Sequence, residues 1–274
     1  MTDAPPPTIE TIIVVPCYNE EKRLPWQDFV AYAASHPKVG FLFVDDGSRD
    51  RTVELLERLY HENPLQLRFL RRERNGGKAE AVRSGILAAI ESGSTRVGFW
   101  DADLSTPLDE VDQLTAVLGS GTLLMVIGSR VKLLGKHIRR KMMRHYLGRI
   151  FATCASVVLG IPVYDTQCGA KLFCVCPELG QVFSLPFVSR WVFDVEIIAR
   201  YQVVRFPRNR AAIRHFIAEK PLDRWDDVGG SKVRPVDFVK AFFELVLIWI
   251  RYALRESVAR RELLASGAEG RGHR

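Results

Sequence analysis

At 274 residues the chain is long enough to bury a sizeable core, and its 47% hydrophobic and 26% charged residues exclude a chain disordered along its whole length. Lys and Arg outnumber Asp and Glu by 39 to 32, a net charge of +7, with excess between Arg130 and Arg149 and again after Arg200. Such clustering points to an anionic partner, whether phosphate, acidic lipid or nucleic acid, with a solvated basic face as the plainer alternative.

Residues 1–10, with three consecutive prolines, read as a disordered lead without the basic start or apolar run of a secretory signal, so the chain is expected to work on the cytoplasmic side. Thr11-Ile-Ile-Val-Val15, stopped by Pro16, predicts a buried parallel strand. Helical spacing follows over 26–35. A second strand, Phe41-Leu-Phe-Val44, then ends in the turn Asp45-Asp-Gly-Ser48. Asp50 can cap a helix whose apolar side is Val53, Leu55, Leu56 and Leu59. A third strand over 67–70, a helix over 79–90 after Gly76-Gly77, a fourth strand over 96–100 and a fifth over 123–127 complete the alternation. That pattern predicts an α/β fold, a mostly parallel sheet flanked by helices, with ligands bound at the C-terminal ends of the strands.

Further along, 138–160 reads as a long helix, basic at its start and apolar later, followed by a loop and strand over 164–173 and a helix over 191–201. Residues 238–254 are apolar but interrupted by Lys240, Glu244 and Arg251, which suits a helix lying in a membrane interface better than one crossing it. The organisation expected is one catalytic domain over 11–234, with 138–160 as an inserted interface helix and 235–274 as a C-terminal amphipathic helix and tail. Cys17, Cys154, Cys168, Cys174 and Cys176 lack metal-ligand spacing and are expected to be reduced and packed.

Acidic clusters recur at the expected strand ends: Asp45 and Asp46, Asp101 and Asp103, and Asp165. Two carboxylates one residue apart after a strand can share a hard divalent cation, Mg2+ or Mn2+, that also takes diphosphate oxygens as ligands. A turn or helix cap would look the same in isolation, but the second acidic pair upstream favours chemistry.

Val14-Val-Pro-Cys-Tyr-Asn-Glu20, Val44-Asp-Asp-Gly-Ser-Arg-Asp50, Asn75-Gly-Gly-Lys78 and Trp100-Asp-Ala-Asp-Leu-Ser105 resemble, in order and spacing, the family 2 glycosyltransferases of the GT-A fold. Later motifs, Asp165-Thr-Gln-Cys-Gly-Ala-Lys-Leu-Phe173, Arg190-Trp-Val-Phe-Asp-Val-Glu196 and Gly229-Gly-Ser-Lys-Val233, look most like the dolichyl-phosphate β-glucosyltransferases and somewhat less like the mannose synthases. The eukaryotic glucosyltransferases carry an N-terminal membrane anchor that residues 1–10 are not expected to provide, so membrane attachment is expected to come from elsewhere. The resemblance implies a nucleotide-sugar pocket lined by Pro16, Tyr18, Glu20, Asp45, Asp46, Lys78 and Asp101, with Asp101 and Asp103 holding the metal and diphosphate. Arg130 is then placed for a phosphate, and Asp165 for a catalytic or sugar-orienting role.

The implied reaction moves glucose from UDP-glucose to dolichyl or polyprenyl phosphate and inverts the anomeric carbon; GDP-mannose and UDP-GlcNAc are the alternative donors. Arg139, Arg140 and Arg144, on a basic helix start, suit lipid phosphate, and Lys232 joins them through the resemblance. Ile150, Phe151, Val157, Val158 and Leu159 would form that helix's apolar face, and Phe242, Phe243, Leu247, Trp249 and Ile250 that of the C-terminal helix. Nucleic acid is not an expected partner, because the aromatic residues lie mainly in apolar runs rather than on a basic reading surface.

Overall fold

β-Branched and aromatic residues dominate Thr11–Cys17 (β1) and Val39–Asp45 (β2), so both faces of each strand are apolar and both need cover. The computed structural model describes residues 8–119, 121–139, 142–227 and 240–252, with backbone only over 142–145. Around β1 and β2 it adds Leu67–Arg71 (β3), Arg96–Trp100 (β4), Met125–Ser129 (β5), Ala170–Cys174 (β7) and Ile217–Pro221 (β8). These form a seven-stranded sheet in the order β3-β2-β1-β4-β7-β5-β8, in which β7 alone runs antiparallel to its neighbours β4 and β5.

Period-two alternation sends successive side chains of β1 to opposite faces. Ile13 and Val15 join Phe41 and Phe43 beneath Trp26–Ser35 (α1), Thr52–Glu62 (α2) and Asp109–Gly119 (α4). Phe29 of α1 sits edge-on to both phenylalanines, at 5.1 Å from each ring. On the other face, Val14 joins Val44, Phe99 and Phe173 beneath Lys78–Glu91 (α3), Met142–Leu159 (α5), Pro177–Ser184 (α6), Phe193–Arg205 (α7) and a C-terminal helix over 240–252.

Several sequence expectations change here. Ile138 does not begin a helix: it lies in His137–Arg139 (β6), which pairs in parallel with Arg224–Asp226 (β9), and α5 starts only at Met142. The exposed-buried-exposed pattern of β6 is that of a strand, with Ile138 turned inward between two exposed residues. α5 also splits its apolar residues, burying Phe151, Ala152, Ala155 and Leu159 in the core while Tyr146, Ile150 and Val157 stay exposed. The C-terminal helix behaves similarly, with Ala241, Leu245, Ile248 and Tyr252 buried and Phe243, Val246, Leu247, Trp249 and Ile250 exposed. Among the described residues no helix is long and apolar enough to cross a membrane.

Candidate active site

Because β1, β2, β4 and β5 are parallel, their C-terminal ends lie on one sheet edge, and antiparallel β7 contributes the loop before its first residue to that same edge. The loops enclose a cleft of about 660 Å3, lined from Pro16, Tyr18 and Glu20 through Asp101 and Asp103 to Arg130, Asp165 and Trp191. A volume of this order suits a ligand of roughly nucleotide-sugar size.

The Asp45-Asp46 pair divides into two roles. Asp45 is fully buried outside the cleft lining, and its carboxylate accepts the Ser48 amide at 3.2 Å, so it shapes its own turn. Asp46 reaches the cleft, but its oxygens accept from the Arg72 guanidinium, from Gly76 N at 3.0 Å and from Gly77 N at 2.7 Å. Asp46 therefore holds the loop that starts α3. Gly77, at φ +88°, takes a left-handed conformation that any side chain would strain, and this bend delivers Lys78 to the first turn of α3.

Lys78 Nζ meets Asp101 Oδ1, and Arg23 Nη2 meets Asp103 Oδ2 at 3.1 Å. Burial alone would raise the Asp101 pKa, but Lys78, Arg130 and Lys171 prevail and hold it below the usual carboxylate range. For Lys78, burial pulls the pKa down, and the Asp101, Asp194 and Asp103 carboxylates override it and raise it. Leu104, immediately after Asp103, has φ +50°, an uncommon conformation for a branched side chain that fits a loop constrained by its site. As donors for a cation, the residues present fit a hard ion that draws its remaining oxygens from elsewhere. Asp101 and Asp103 offer two carboxylates, and no group of three or more metal-binding side chains occurs among the described residues.

Arg130 and Asp165, expected as separate functional groups, are partners. Arg130 donates Nε to Oδ2 and Nη2 to Oδ1, both at 2.7 Å, and its backbone N donates to Oδ2 at 2.9 Å. The pair is nearly buried, and the guanidinium lies 5.4 Å from the Trp225 ring. Glu219 of edge strand β8 braces the loop by accepting the Tyr164 and Asp165 amides. At the base of the cleft Lys171, fully buried, lies 2.5 Å from Asp194, whose pKa burial raises despite that neighbour. Sequence reasoning did not single out Lys171 as a site residue; its signal was a lysine inside an apolar strand.

The far end of the cleft is apolar and basic. Phe151 and Ala152 of α5, Trp191, and Ala241 of the C-terminal helix line it beside Arg149 and Arg190. Arg149 stacks over the Tyr164 ring at 3.7 Å. Arg139 is not on the helix as expected: it belongs to β6, is exposed, and faces Asp226 at 3.7 Å. Arg140 and Lys232 lie outside the described residues, and Arg144 is described by backbone alone. Cys17 and Cys168 are buried, and burial pushes both thiol pKa values up, that of Cys168 to about 11, as suits packed thiols.

Residues 12–174 match the profile of glycosyl transferase family 2. The chain is a family 2 glycosyltransferase. It is 32% identical over 260 residues to a dolichyl-phosphate beta-glucosyltransferase of Trichomonas vaginalis, covering 90% of this chain and 73% of that protein. The human dolichyl-phosphate beta-glucosyltransferase is 31% identical over 264 residues, covering 90% of this chain and 76% of its own. Among solved structures, glucosyl-3-phosphoglycerate synthase from Mycobacterium tuberculosis, in complex with Mn2+, UDP-glucose and phosphoglyceric acid, superposes with a TM-score of 0.60 at 20% identity, covering 87% of this chain and 79% of that one. That likeness establishes a shared GT-A-type fold.

In this glycosyltransferase Gly169 is fixed by close approach. A Cβ there would fall 1.8 Å from Asp101 Oδ2, while the Gly169 carbonyl accepts the Asp101 amide at 3.1 Å. Gly169→Ala is therefore expected to displace the Asp101 carboxylate and lower kcat by on the order of 10²-fold, since misplacing a reacting group by about 1 Å costs that much. Steady-state kinetics beside a thermal melt check this; unchanged kcat in the variant would show that the placement of Asp101 is unimportant.

Proposed function

We propose that this enzyme transfers glucose from UDP-glucose to dolichyl or polyprenyl phosphate, giving a β-linked lipid-phosphate sugar, at the cytoplasmic face of a membrane. The observation that carries the acceptor class is the charge state of the cleft. Six of its carboxylates have a basic neighbour: Glu20 and Asp103 face Arg23, Asp46 faces Arg72, Asp101 faces Lys78, Asp165 faces Arg130 and Asp194 faces Lys171. Asp101, held below the usual carboxylate range by its cationic neighbours, is a poor proton acceptor, and Asp194, which burial raises, is already bonded to Lys171. An alcohol acceptor needs a base to remove its proton, whereas a phosphate monoester arrives ionised and needs only placement and charge neutralisation.

In the proposed displacement a phosphate oxygen of the acceptor forms the new bond to the anomeric carbon. The bond to the UDP oxygen breaks, UDP leaves with the electron pair, and no proton moves. Pro16, Tyr18 and Glu20 border the nucleotide end, and Arg130, Arg149 and Arg190 lie toward the acceptor end, where Phe151, Trp191 and Ala241 offer apolar contact for the first prenyl units. Asp101 and Asp103 would hold Mg2+ or Mn2+, which neutralises charge on the departing diphosphate. Lys78 and Arg23, now on those carboxylates, are placed to turn to the phosphates instead. The names of the relatives and the exposed apolar residues of α5 and the C-terminal helix support the lipid acceptor and the membrane surface.

Radiolabelled transfer to polyprenyl phosphate in detergent, from UDP-glucose and in parallel from GDP-mannose, with and without Mn2+ or Mg2+, tests this reading. Metal-dependent glucolipid is the expected product. Mannolipid in its place would overturn the donor, and no glycolipid from either donor, in folded protein that binds UDP, would overturn the acceptor.

A further inference from the structure

Segment 189–192 connects the cleft to the C-terminal helix. It carries Arg190 and Trp191 into the acceptor end and leads directly into α7. Arg190 stands apart from Arg23, Lys78 and Arg130, because it has no hydrogen bond or ion pair among the described residues and its charge is available to an anion.

One carboxylate from a distant part of the chain holds this segment. Glu244 Oε2, on the C-terminal helix, accepts from Ser189 Oγ at 2.5 Å, Trp191 N at 3.1 Å and Val192 N at 3.2 Å. Ser189 Oγ in turn accepts Val192 N at 2.7 Å, so the residue immediately before α7 is held by a side chain that Glu244 orients. The helix bearing Glu244 is fixed to the body by buried Ala241, Leu245, Ile248 and Tyr252 and by the Tyr252 hydroxyl, which donates to Glu196 at 2.8 Å. Its opposite side exposes Phe243, Leu247 and Trp249. The same helix therefore presents an apolar surface outward and a carboxylate inward, where it sets Arg190 and Trp191.

We propose that Glu244 is a positioning residue for the lipid-phosphate acceptor, acting through segment 189–192 rather than by touching substrate. The inference rests on the acceptor proposed above and adds a residue to it. Among the described residues Glu244 makes its hydrogen bonds to segment 189–192 and none to Pro16, Tyr18 or Glu20, which border the proposed nucleotide site, so the two substrates separate its effect from general damage.

The test uses the full chain in detergent with UDP-glucose and polyprenyl phosphate, comparing Glu244→Ala and Glu244→Gln. Removing a charged acceptor of three hydrogen bonds is expected to raise the acceptor KM at least about tenfold and leave the UDP-glucose KM within about twofold. In Glu244→Gln the amide oxygen still accepts, so the rise is smaller, and this variant carries the test if the alanine variant does not fold. Hydrogen exchange should show the Trp191 and Val192 amides losing protection in Glu244→Ala while those of Val188 and Ser189, which donate to Glu196, keep theirs. An unchanged acceptor KM, or acceptor and donor KM rising together, overturns the proposal. If the wild-type protein makes no lipid-linked sugar, the acceptor reading falls separately. Exchange then tests only the structural link: lost protection in Glu244→Ala shows that Glu244 holds segment 189–192, and retained protection overturns that as well.

Discussion

Asp103→Ala is expected to lower the rate of sugar transfer on the order of 10³-fold, because it removes one of two carboxylates proposed to hold the divalent ion, and such an ion contributes several kcal/mol to stabilising a leaving diphosphate. Two further changes follow from the contacts of Asp103. Arg23 loses its partner at 3.1 Å, and the Ser105 amide loses its acceptor at 3.1 Å, loosening the loop that holds Leu104 in its left-handed conformation. Asp103→Asn separates these effects, since the amide oxygen can still accept from Ser105 while the negative charge is gone. Both variants should be nearly inactive with an unaltered melting temperature, and titration of UDP with and without Mn2+ should show that the metal no longer strengthens nucleotide binding. An Asp103→Asn enzyme that retained transfer would remove the metal role.

The largest stability effect is expected at Arg200. Its side chain is nearly buried, and its nitrogens donate to Val182 O at 2.8 Å, Leu185 O at 2.7 Å, Pro186 O at 2.7 Å, Glu196 Oε1 at 2.8 Å and the Tyr252 hydroxyl at 3.1 Å. Glu196 is fully buried and accepts as well from Val188 N, Ser189 N and Tyr252. Arg200→Ala leaves that buried carboxylate without its cation and the buried Val182 carbonyl without its donor, a loss of about 3–5 kcal/mol by analogy with other broken buried pairs. For a chain of this size that is a fall in Tm of roughly 10 °C. Because the network joins α6, α7 and the C-terminal helix, the exposed face of that helix should become susceptible to protease in the same variant. A Tm within about 2 °C of wild type would show that the network contributes little to stability.

Local pattern alone was enough for much of the sheet. The limits of α1 and β4 follow from helical spacing in one and an apolar run closed by an acidic loop in the other. Other elements carried weaker signals. α4 has helical spacing in Val111, Leu114 and Leu118, but its acidic first turn resembles a loop and masks that signal. Edge strand β8 is only partly buried along its length and includes a lysine and a proline, so its alternation is faint. The reversed direction of β7 depends on pairing with β4 and β5 and leaves no mark in its own residues.

What the sequence determined by itself was the family, the acidic loops at strand ends and the basic and apolar character of the segments around the cleft, because strand period, turn chemistry and short motifs are properties of neighbouring residues. Tertiary structure decided which charges meet. Arg130 and Asp165 lie 35 positions apart and neutralise each other, Asp46 is committed to its own loop, and Glu244 reaches back more than 50 positions to Ser189. These pairings were not legible because the energy of an ion pair or a buried hydrogen bond depends on separation and burial in space, which only the packed sheet and helices fix.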